Sequence, residues 1–446
     1  MQPADTIAAV ATAYGRAGIG VVRVSGPGTQ SLATSLIGRT PPARHATLSE
    51  FRDADGLAID QGIAIFFPGP HSYTGEDVFE IQGHGGVALL RMLLRRCVEL
   101  GARVAEPGEF TKRAFLNDKM DLAQAESVAD LIDASSTDAV RSARRSLAGE
   151  FSARVNAIRE QLIGIRLLVE AVLDFPEEQV DLIDRHDVLG QLQAVQGDIT
   201  TLTDSATQGN LLREGVRVVL TGAPNVGKSS LMNRLAEEEV AIVTEVPGTT
   251  RDVLQRELVV SGLPIHVIDT AGLRESDDPV ERIGVSRSLQ QLEQADVVLE
   301  IRDASVPCTD DAGSDLVRLS EGARKIIVIN KIDLISETPK ASQEGSVDKV
   351  WLSAKTGSGI DLLRRTLLRV SGRDTTDEVP FMARERHIHS LRQTLANAQR
   401  AETEVARLEL CAEELRLAQQ ALGKITGEFS ADDLLGEIFS RFCIGK

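Results

Sequence analysis

The chain has 446 residues, 49 basic and 66 acidic, for a formal net charge of −17; at roughly 150 residues per domain this length predicts about three domains. Apolar residues at 42% suffice for several cores, yet the longest apolar stretches fall well short of the roughly 20 residues of a membrane span, and Met1 to Val10 carries no basic residue, unlike a secretory leader. Aromatics at 3% leave little for base stacking, the acidity disfavours nucleic acid as main direct partner, and four cysteines without CxxC or histidine pairing point to the reducing cytoplasm and away from structural zinc.

From Met1 to about Asn117 strands and helices mix. Val21–Val24 and Gly62–Phe67 read as strands, and Val87 to Leu100 as a helix ended by Gly101. This segment is neutral, with 11 basic and 11 acidic residues, and predicts a small α/β or α+β domain. From Asp118 to Leu212 the pattern turns helical: Val128, Leu131 and Ile132 recur at helix spacing, as do Leu189, Leu192, Val195, Ile199 and Leu202. Acidity concentrates here, 17 acidic against 8 basic, and Pro176 with Glu177 and Glu178 marks a break between two long helices. From Arg213 to Ser371 the short apolar runs Val216–Leu220, Ile265–Ile268, Val297–Ile301 and Ile326–Ile329 are each followed by loop and helix. That alternation predicts a parallel sheet covered on both faces. After Ser371 the helical pattern returns in Leu391–Ala398, Leu408–Leu422 and Leu434–Phe442. The simplest architecture is multidomain: an α+β domain over 1–117, an all-helical domain in two parts, 118–212 and 372–446, and an α/β domain over 213–371 inserted between those parts. Two independent helical modules are the alternative.

The strongest motif is Gly222-Ala223-Pro224-Asn225-Val226-Gly227-Lys228-Ser229, a GxxxxGK[ST] sequence directly after a strand. Its backbone N–H groups can curl around phosphates, with Ser229 and Ser230 opening a helix whose N-terminus favours an anion. Lys228 can reach the β- and γ-phosphates and the Ser229 hydroxyl can bind magnesium. Asp269-Thr270-Ala271-Gly272 follows the next strand, where a carboxylate can hold magnesium through water and the Gly272 N–H can sense a γ-phosphate. In Asn330-Lys331-Ile332-Asp333 the Asp333 carboxylate can accept two hydrogen bonds that guanine offers and adenine does not, and Ser353-Ala354-Lys355 suits a backbone contact to guanine O6. These elements predict GTP rather than ATP, in a P-loop G domain with its crevice at the carboxyl ends of the strands. Either Thr249 or Thr250, within Gly248-Thr249-Thr250-Arg251-Asp252, can close on magnesium as a switch. Leu273 stands where many GTPases place a water-orienting glutamine, so that group must come from elsewhere; Arg274, Glu275 and Glu281 are nearby.

Further motifs carry a resemblance. They are Asp5-Thr6-Ile7, Gly15-Arg16-Ala17-Gly18-Ile19-Gly20, Arg23-Val24-Ser25-Gly26, Tyr73-Thr74-Gly75-Glu76-Asp77 with Glu80, Gly83-His84-Gly85-Gly86, Pro107-Gly108-Glu109-Phe110, Asn117-Asp118-Lys119 and the terminal Cys443-Ile444-Gly445-Lys446. With the inserted G domain they closely resemble, over essentially the whole length, the MnmE (TrmE) family of tRNA modification GTPases. The resemblance implies an N-terminal domain with a folate-binding-like fold that dimerises and holds a 5-formyltetrahydrofolate-type carbon donor, with contacts matching Arg23, Glu80, Lys119 and Lys446. It implies G domains that dimerise in a potassium-dependent way. Asn225 matches the potassium ligand, aided by Thr244, Val246 and Thr249; Thr250 and Ser229 match the magnesium ligands, and Glu281 the water-activating carboxylate. It further implies a flavin- and NADH-dependent partner, MnmG (GidA), with which an aminomethyl or carboxymethylaminomethyl group is added at C5 of the tRNA wobble uridine. A role for Cys443 in carbon transfer stays open.

Two rival readings share these motifs: a ribosome-assembly GTPase, which usually appends a basic RNA-binding domain, and a folate enzyme with a regulatory G domain. The segment after Ser371 has 10 basic and 13 acidic residues and no GXXG clamp. With tRNA as substrate of so acidic a chain, the partner flavoprotein is expected to supply most of the RNA grip. Arg141, Arg144 and Arg145, at i, i+3 and i+4, form the best local basic patch if they do not simply balance neighbouring carboxylates.

Overall fold

A computed structural model describes residues 5–13, 15–174, 187–236, 255–269, 295–306, 323–373, 379–428, 432–440 and 442–445. The break expected at Pro176 lies outside them. The chain forms two compact units, one of residues 1–129 with 419–446 and one of residues 130–418.

The first unit is built on β1 (Ile7–Val10), β2 (Ala17–Ser25), α1 (Thr29–Ile37), β3 (Thr47–Arg52), β4 (Ala58–Phe67), β5 (Val78–Gly85), α2 (Val87–Glu99), β6 (Arg103–Val104), α3 (Glu109–Leu116) and the start of α4 (Leu122–Asp133). The six strands run in the order β3-β4-β5-β2-β1-β6. All neighbours are antiparallel except β1 and β6. Alternation decides which face is buried. Val22 and Val24 of β2, Phe79 and Ile81 of β5 and Ala64 and Phe66 of β4 pack with Leu32 and Leu36 of α1 and Leu90 and Leu93 of α2. The intervening residues, Arg23 and Glu80 among them, therefore project from the other face. A second cluster joins Leu122, Ala125 and Ala129 to Leu435, Ile438, Phe439 and Phe442 of the C-terminal stretch.

The second unit continues with α5 (Thr137–Leu147), α6 (Glu150–Asp174), α7 (Val188–Glu214), β7 (Val216–Thr221), α8 (Lys228–Ala236), β8 (Gln255–Val260), β9 (Leu263–Asp269), β10 (Val297–Asp303), β11 (Arg324–Asn330), β12 (Lys340–Glu344), β13 (Val347–Trp351), α9 (Ile360–Val370), α10 (Glu385–Thr403) and most of α11 (Leu408–Thr426), with α12 (Asp432–Ser440) following in the first unit. Its sheet runs β12-β13-β11-β10-β7-β9-β8. The five central strands are parallel, and the outer β12 and β8 are antiparallel edges that the apolar runs alone did not reveal. Helices α5–α7 precede the sheet and α10 follows it, so the α/β segment is inserted between helices. In α7, Leu192, Val195, Ile199, Leu202 and Ala206 are buried at three- and four-residue spacing, the stripe of a helix packed along one side.

The return from the sheet to α10 is an anchored strap. Ser142 and Ser146 of α5 donate to the carbonyls of Pro380 (2.8 Å) and Met382 (3.0 Å). Arg145 donates to the Val379 carbonyl and lies 4.4 Å over the Phe381 ring. On the other side a Cβ at Gly209 of α7 would stand 1.6 Å from the Phe381 carbonyl oxygen. Asp130 closes the arrangement, accepting from Arg213 at the end of α7 (2.9 Å) and from Arg384 at the start of α10 (2.8 Å). Of the basic patch considered above, Arg145 is thus engaged with this strap, Arg141 faces Asp138 at 3.9 Å, and Arg144 is exposed.

Candidate functional site

The motif after β7 forms a tight strand-to-helix loop. Gly222 has φ +142, and a Cβ there would lie 2.3 Å from the Ile301 carbonyl oxygen, so β7 can pass beside β10 only with glycine at this turn. Asn225 takes a left-handed conformation with φ 65 and is exposed at the crest of the loop. The Lys228 ammonium donates to the carbonyls of Gly222 (2.7 Å) and Ala223 (3.1 Å), closing the loop on itself. The first helical bond runs from the Leu231 N–H to the Gly227 carbonyl. The N–H groups of Lys228, Ser229 and Ser230 therefore precede the helical ladder, the arrangement that favours an anion at a helix N-terminus. Ser229 and Ser230 are both exposed.

The ends of β11 and β13 adjoin this loop. Asn330, 2% exposed at the end of β11, donates to the Val226 carbonyl (2.8 Å) and accepts from the Ala354 N–H (2.9 Å). One amide thereby ties the phosphate loop to Ser353-Ala354-Lys355. A Cβ at Gly227 would come 2.4 Å from that amide nitrogen. The Ser353 hydroxyl donates to Asp333 at 2.6 Å, orienting an exposed carboxylate. Arg234 of α8 donates to the carbonyls of Ala354 (3.3 Å) and Lys355 (3.0 Å), a second tie between helix and loop. Lys331 donates to Asp303 at 2.6 Å. That bond, followed by those from Ser305, holds the Asp303 carboxyl at a pKa of about 2. Asp303 and Arg234 escaped the sequence reading because neither belongs to a spaced motif. The signal was that β10 ends at the same sheet edge as β7 and β11.

In the first unit Arg23 and Glu80 are cross-strand partners, with Arg23 donating through Nε at 3.0 Å. The guanidinium stands 5.4 Å from the Tyr73 ring centre and 5.8 Å from that of Phe110. Burial raises the Tyr73 phenol, whose hydroxyl shares a 2.8 Å hydrogen bond with Thr111. Lys119 donates to the Pro70 carbonyl (3.0 Å), in the loop that carries Tyr73. Behind this loop Arg113 links Glu76, Glu109 and Asp5, and Glu76 also accepts from Ser25 at 2.7 Å. The C-terminal motif is seated here as well. The Cys443 carbonyl accepts from the Gly108 N–H (3.4 Å), Ile444 bridges to Pro107, and Gly445, at φ +97, passes so close that a Cβ would lie 2.3 Å from the Val10 carbonyl oxygen. The Cys443 side chain is exposed.

Two family models match the chain: one described as the MnmE helical domain over residues 122–443, and one as the GTP-binding protein TrmE N-terminus over residues 6–119. The chain is 56% identical over 446 residues to the tRNA modification GTPase MnmE of Azoarcus sp., covering 100% of this chain and 99% of the relative. The chain belongs to the MnmE family of tRNA modification GTPases. It is likewise 55% identical to the MnmE of Laribacter hongkongensis, with 99% of each chain covered, and 54% identical to that of Thiobacillus denitrificans, covering 99% of this chain and 98% of that one. Among solved structures it is similar to Era of Aquifex aeolicus, at a TM-score of 0.27 and 25% identity, over 41% of this chain and 67% of that one.

Of the residues that the sequence motifs assign to the nucleotide, the fold brings together Asn225, Val226, Gly227, Lys228, Ser229, Ser230, Asn330, Lys331, Asp333, Ser353, Ala354 and Lys355. Asp269 ends β9 in register with Leu220 of β7, so its backbone stands beside the strand that feeds the phosphate loop. Thr244, Val246, Thr249, Thr250, Thr270, Ala271, Gly272 and Glu281 lie outside the described residues, as does Lys446. Among the described residues no helix is long and apolar enough to cross a membrane.

Proposed function

We propose that the chain hydrolyses GTP at the edge formed by Gly222–Ser229, Asn330–Asp333 and Ser353–Lys355, and that this cycle serves C5 modification of the tRNA wobble uridine, with an aminomethyl or carboxymethylaminomethyl group as product. The observation that carries the reading is the Asn330 bridge, which holds a phosphate loop and a guanine-reading carboxylate at one end of a parallel sheet. Lys228 releases the carbonyls of Gly222 and Ala223 to meet the β- and γ-phosphates. Ser229, Asp269 and Thr250 form the magnesium side, supported by the exposed Ser229 hydroxyl and the Asp269–Leu220 register. Magnesium, when bound, neutralises charge on the phosphates. The Gly272 N–H, within Thr270-Ala271-Gly272, meets the γ-phosphate, and Glu281 orients the attacking water that Leu273 cannot hold. The left-handed, exposed Asn225 supports a potassium site completed by Thr244, Val246 and Thr249, and G domains of two copies meet across it.

The first unit is read as the dimerisation and folate-binding part of this enzyme. Arg23, Glu80, Lys119 and Lys446 would contact a 5-formyltetrahydrofolate-type donor, and the stacked Arg23–Tyr73 pair fits a flat, polar ring. Working partners are a second copy of the chain, the flavoprotein MnmG and tRNA, in the cytoplasm. Domain limits at 117, 212 and 371 belong to the same reading. The test is mass spectrometry of wobble nucleosides from cells lacking the chain, together with hydrolysis rates in potassium and in sodium. Loss of the modified uridine and much faster turnover in potassium are expected. A fully modified wobble position would defeat the tRNA role, and equal rates in the two salts would remove the Asn225 assignment.

A further inference from the structure

Strands β10 and β11 end level with each other, Asp303 facing Asn330 in register and the Ala304 N–H bonded to the Asn330 carbonyl at 2.9 Å. The next residue, Lys331, is left-handed at φ 67 and ψ 35. Its side chain returns across the gap between the two strands, about 4.8 Å in a sheet, to place Nζ 2.6 Å from Asp303 Oδ2. The other carboxylate oxygen, Oδ1, accepts from the Ser305 N–H (2.9 Å) and the Ser305 hydroxyl (2.7 Å). Asp303 is thus held from two sides, at 13% side-chain exposure, with Lys331 at 31%. The Lys331 stem thereby reaches from the end of β11 to the end of β10.

We propose that Asp303 is a positioning residue of the purine site: by anchoring the Lys331 ammonium it fixes the lysine stem as a flat wall for one face of the base, without touching the nucleotide. The inference rests on the guanine reading of Asp333. A lysine left without this anchor has a freely rotating four-carbon stem, and ordering it on binding costs conformational entropy. The anchored stem has met that cost before the nucleotide arrives. Because a stem against a ring face cannot tell one base edge from another, its contribution falls equally on all purine nucleotides. Discrimination stays with Asp333.

The experiment measures binding of a fluorescent GDP analogue, steady-state hydrolysis, and the GTP-to-XTP preference in the full chain. Asp303→Asn should weaken GDP about tenfold, equivalent to about 1.4 kcal/mol, while kcat at saturating GTP and the GTP-to-XTP ratio stay as in the wild type. Lys331→Met, which keeps most of the stem and removes the ammonium, should weaken GDP by a similar factor, and the double variant should lose no more than either single one. Should Asp303→Asn fold poorly, Lys331→Met reads the same contact from the other side. Asp333→Asn serves as the separate control and should shift preference to XTP. If it does so while Asp303→Asn binds GDP as the wild type does, or while the two single losses add in the double variant, the positioning role is overturned and the guanine reading stands. If Asp333→Asn leaves the preference unchanged, the guanine reading fails and the inference falls with it.

Discussion

The Asn330 amide donates to the Val226 carbonyl at 2.8 Å while its own oxygen takes the Ala354 N–H at 2.9 Å, inside a site where Asn330 is 2% exposed. Segments 104 and 24 residues away in sequence therefore meet on the one Asn330 side chain. The Gly222–Ser229 loop and the Ser353–Lys355 loop become parts of one body, because neither can shift without stretching a buried hydrogen bond. Gly227 completes the arrangement by leaving room for the amide nitrogen.

Replacing Asn330 with alanine strands a buried carbonyl and a buried N–H. Each unsatisfied group costs about 1–3 kcal/mol, so Asn330→Ala should destabilise the α/β unit by about 2 kcal/mol or more in urea unfolding and weaken GDP and GTP alike. Wild-type stability with lost binding would mean that the amide meets only the nucleotide.

Two glycines of α7 should behave in opposite ways. At Gly209 a Cβ would sit 1.6 Å from the Phe381 carbonyl oxygen, in a strap whose neighbouring carbonyls, of Pro380, Val379 and Met382, are held by Ser142, Arg145 and Ser146. Gly209→Ala must push helix and strap apart and should lower stability by about 3 kcal/mol, in the range of severe overpacking. At Gly197 no atom lies within 4 Å of the added Cβ. Gly197→Ala should therefore stabilise by about 0.5–1 kcal/mol through helix propensity alone. Thermal melts of the two variants check the sign, and similar melts would mean that the strap is not seated on α7.

Much of this was legible in the sequence, and the reasons are physical. Parallel strands covered on both faces read as continuous apolar runs, so β7, β9, β10 and β11 were visible within a few residues of their limits. The edges β8 and β12 were not: β12 is exposed along its whole length and carries no apolar signal. The phosphate and base motifs were legible because their chemistry demands fixed residue types at fixed spacing. Asp303 and Arg234 tie the same strand ends together through bonds to Lys331 and to the Ala354 and Lys355 carbonyls, for which no local pattern exists. The role of Arg145 was equally hidden. Its spacing on α5 marks a helix face, but only the fold shows that Arg145 itself is engaged with Val379 and Phe381.

Acid should act first on the ion network of the first unit. Burial pushes Glu109 up, but hydrogen bonds from Arg103, the Glu106 N–H and Arg113 outweigh it, and the Glu109 pKa is lowered in the folded chain. The Asp5 carboxyl is lowered chiefly by its hydrogen bond from Arg103. Groups depressed on folding stabilise above their unfolded pKa values, near 4, and lose that contribution as pH falls through the folded ones. Stability followed by circular dichroism should thus fall as pH drops below about 4. Arg113→Met should both destabilise, by about 3 kcal/mol for a broken buried pair, and flatten that acid limb. An unchanged limb would place the acid sensitivity elsewhere.

The described cysteines should separate by reactivity. Cys97 is fully buried in the sheet–helix core of the first unit, and burial pushes its thiol up to about 12. Cys411 is raised to about 11, mainly by burial and further by the Glu404 charge. Cys443 is exposed on the C-terminal segment seated at Pro107 and Val10. Since the thiolate is the nucleophile, a thiol at about 12 presents roughly one part in ten thousand of it at pH 8, in a site that reagent cannot enter. Iodoacetamide on the native chain should therefore modify Cys443 within minutes and spare Cys97 and Cys411 until urea opens the cores, as read by mass spectrometry of tryptic peptides. Cys97 labelling as fast as Cys443 in the absence of urea would show that the packing of α2 on the sheet opens readily, and would contradict the core described for this unit.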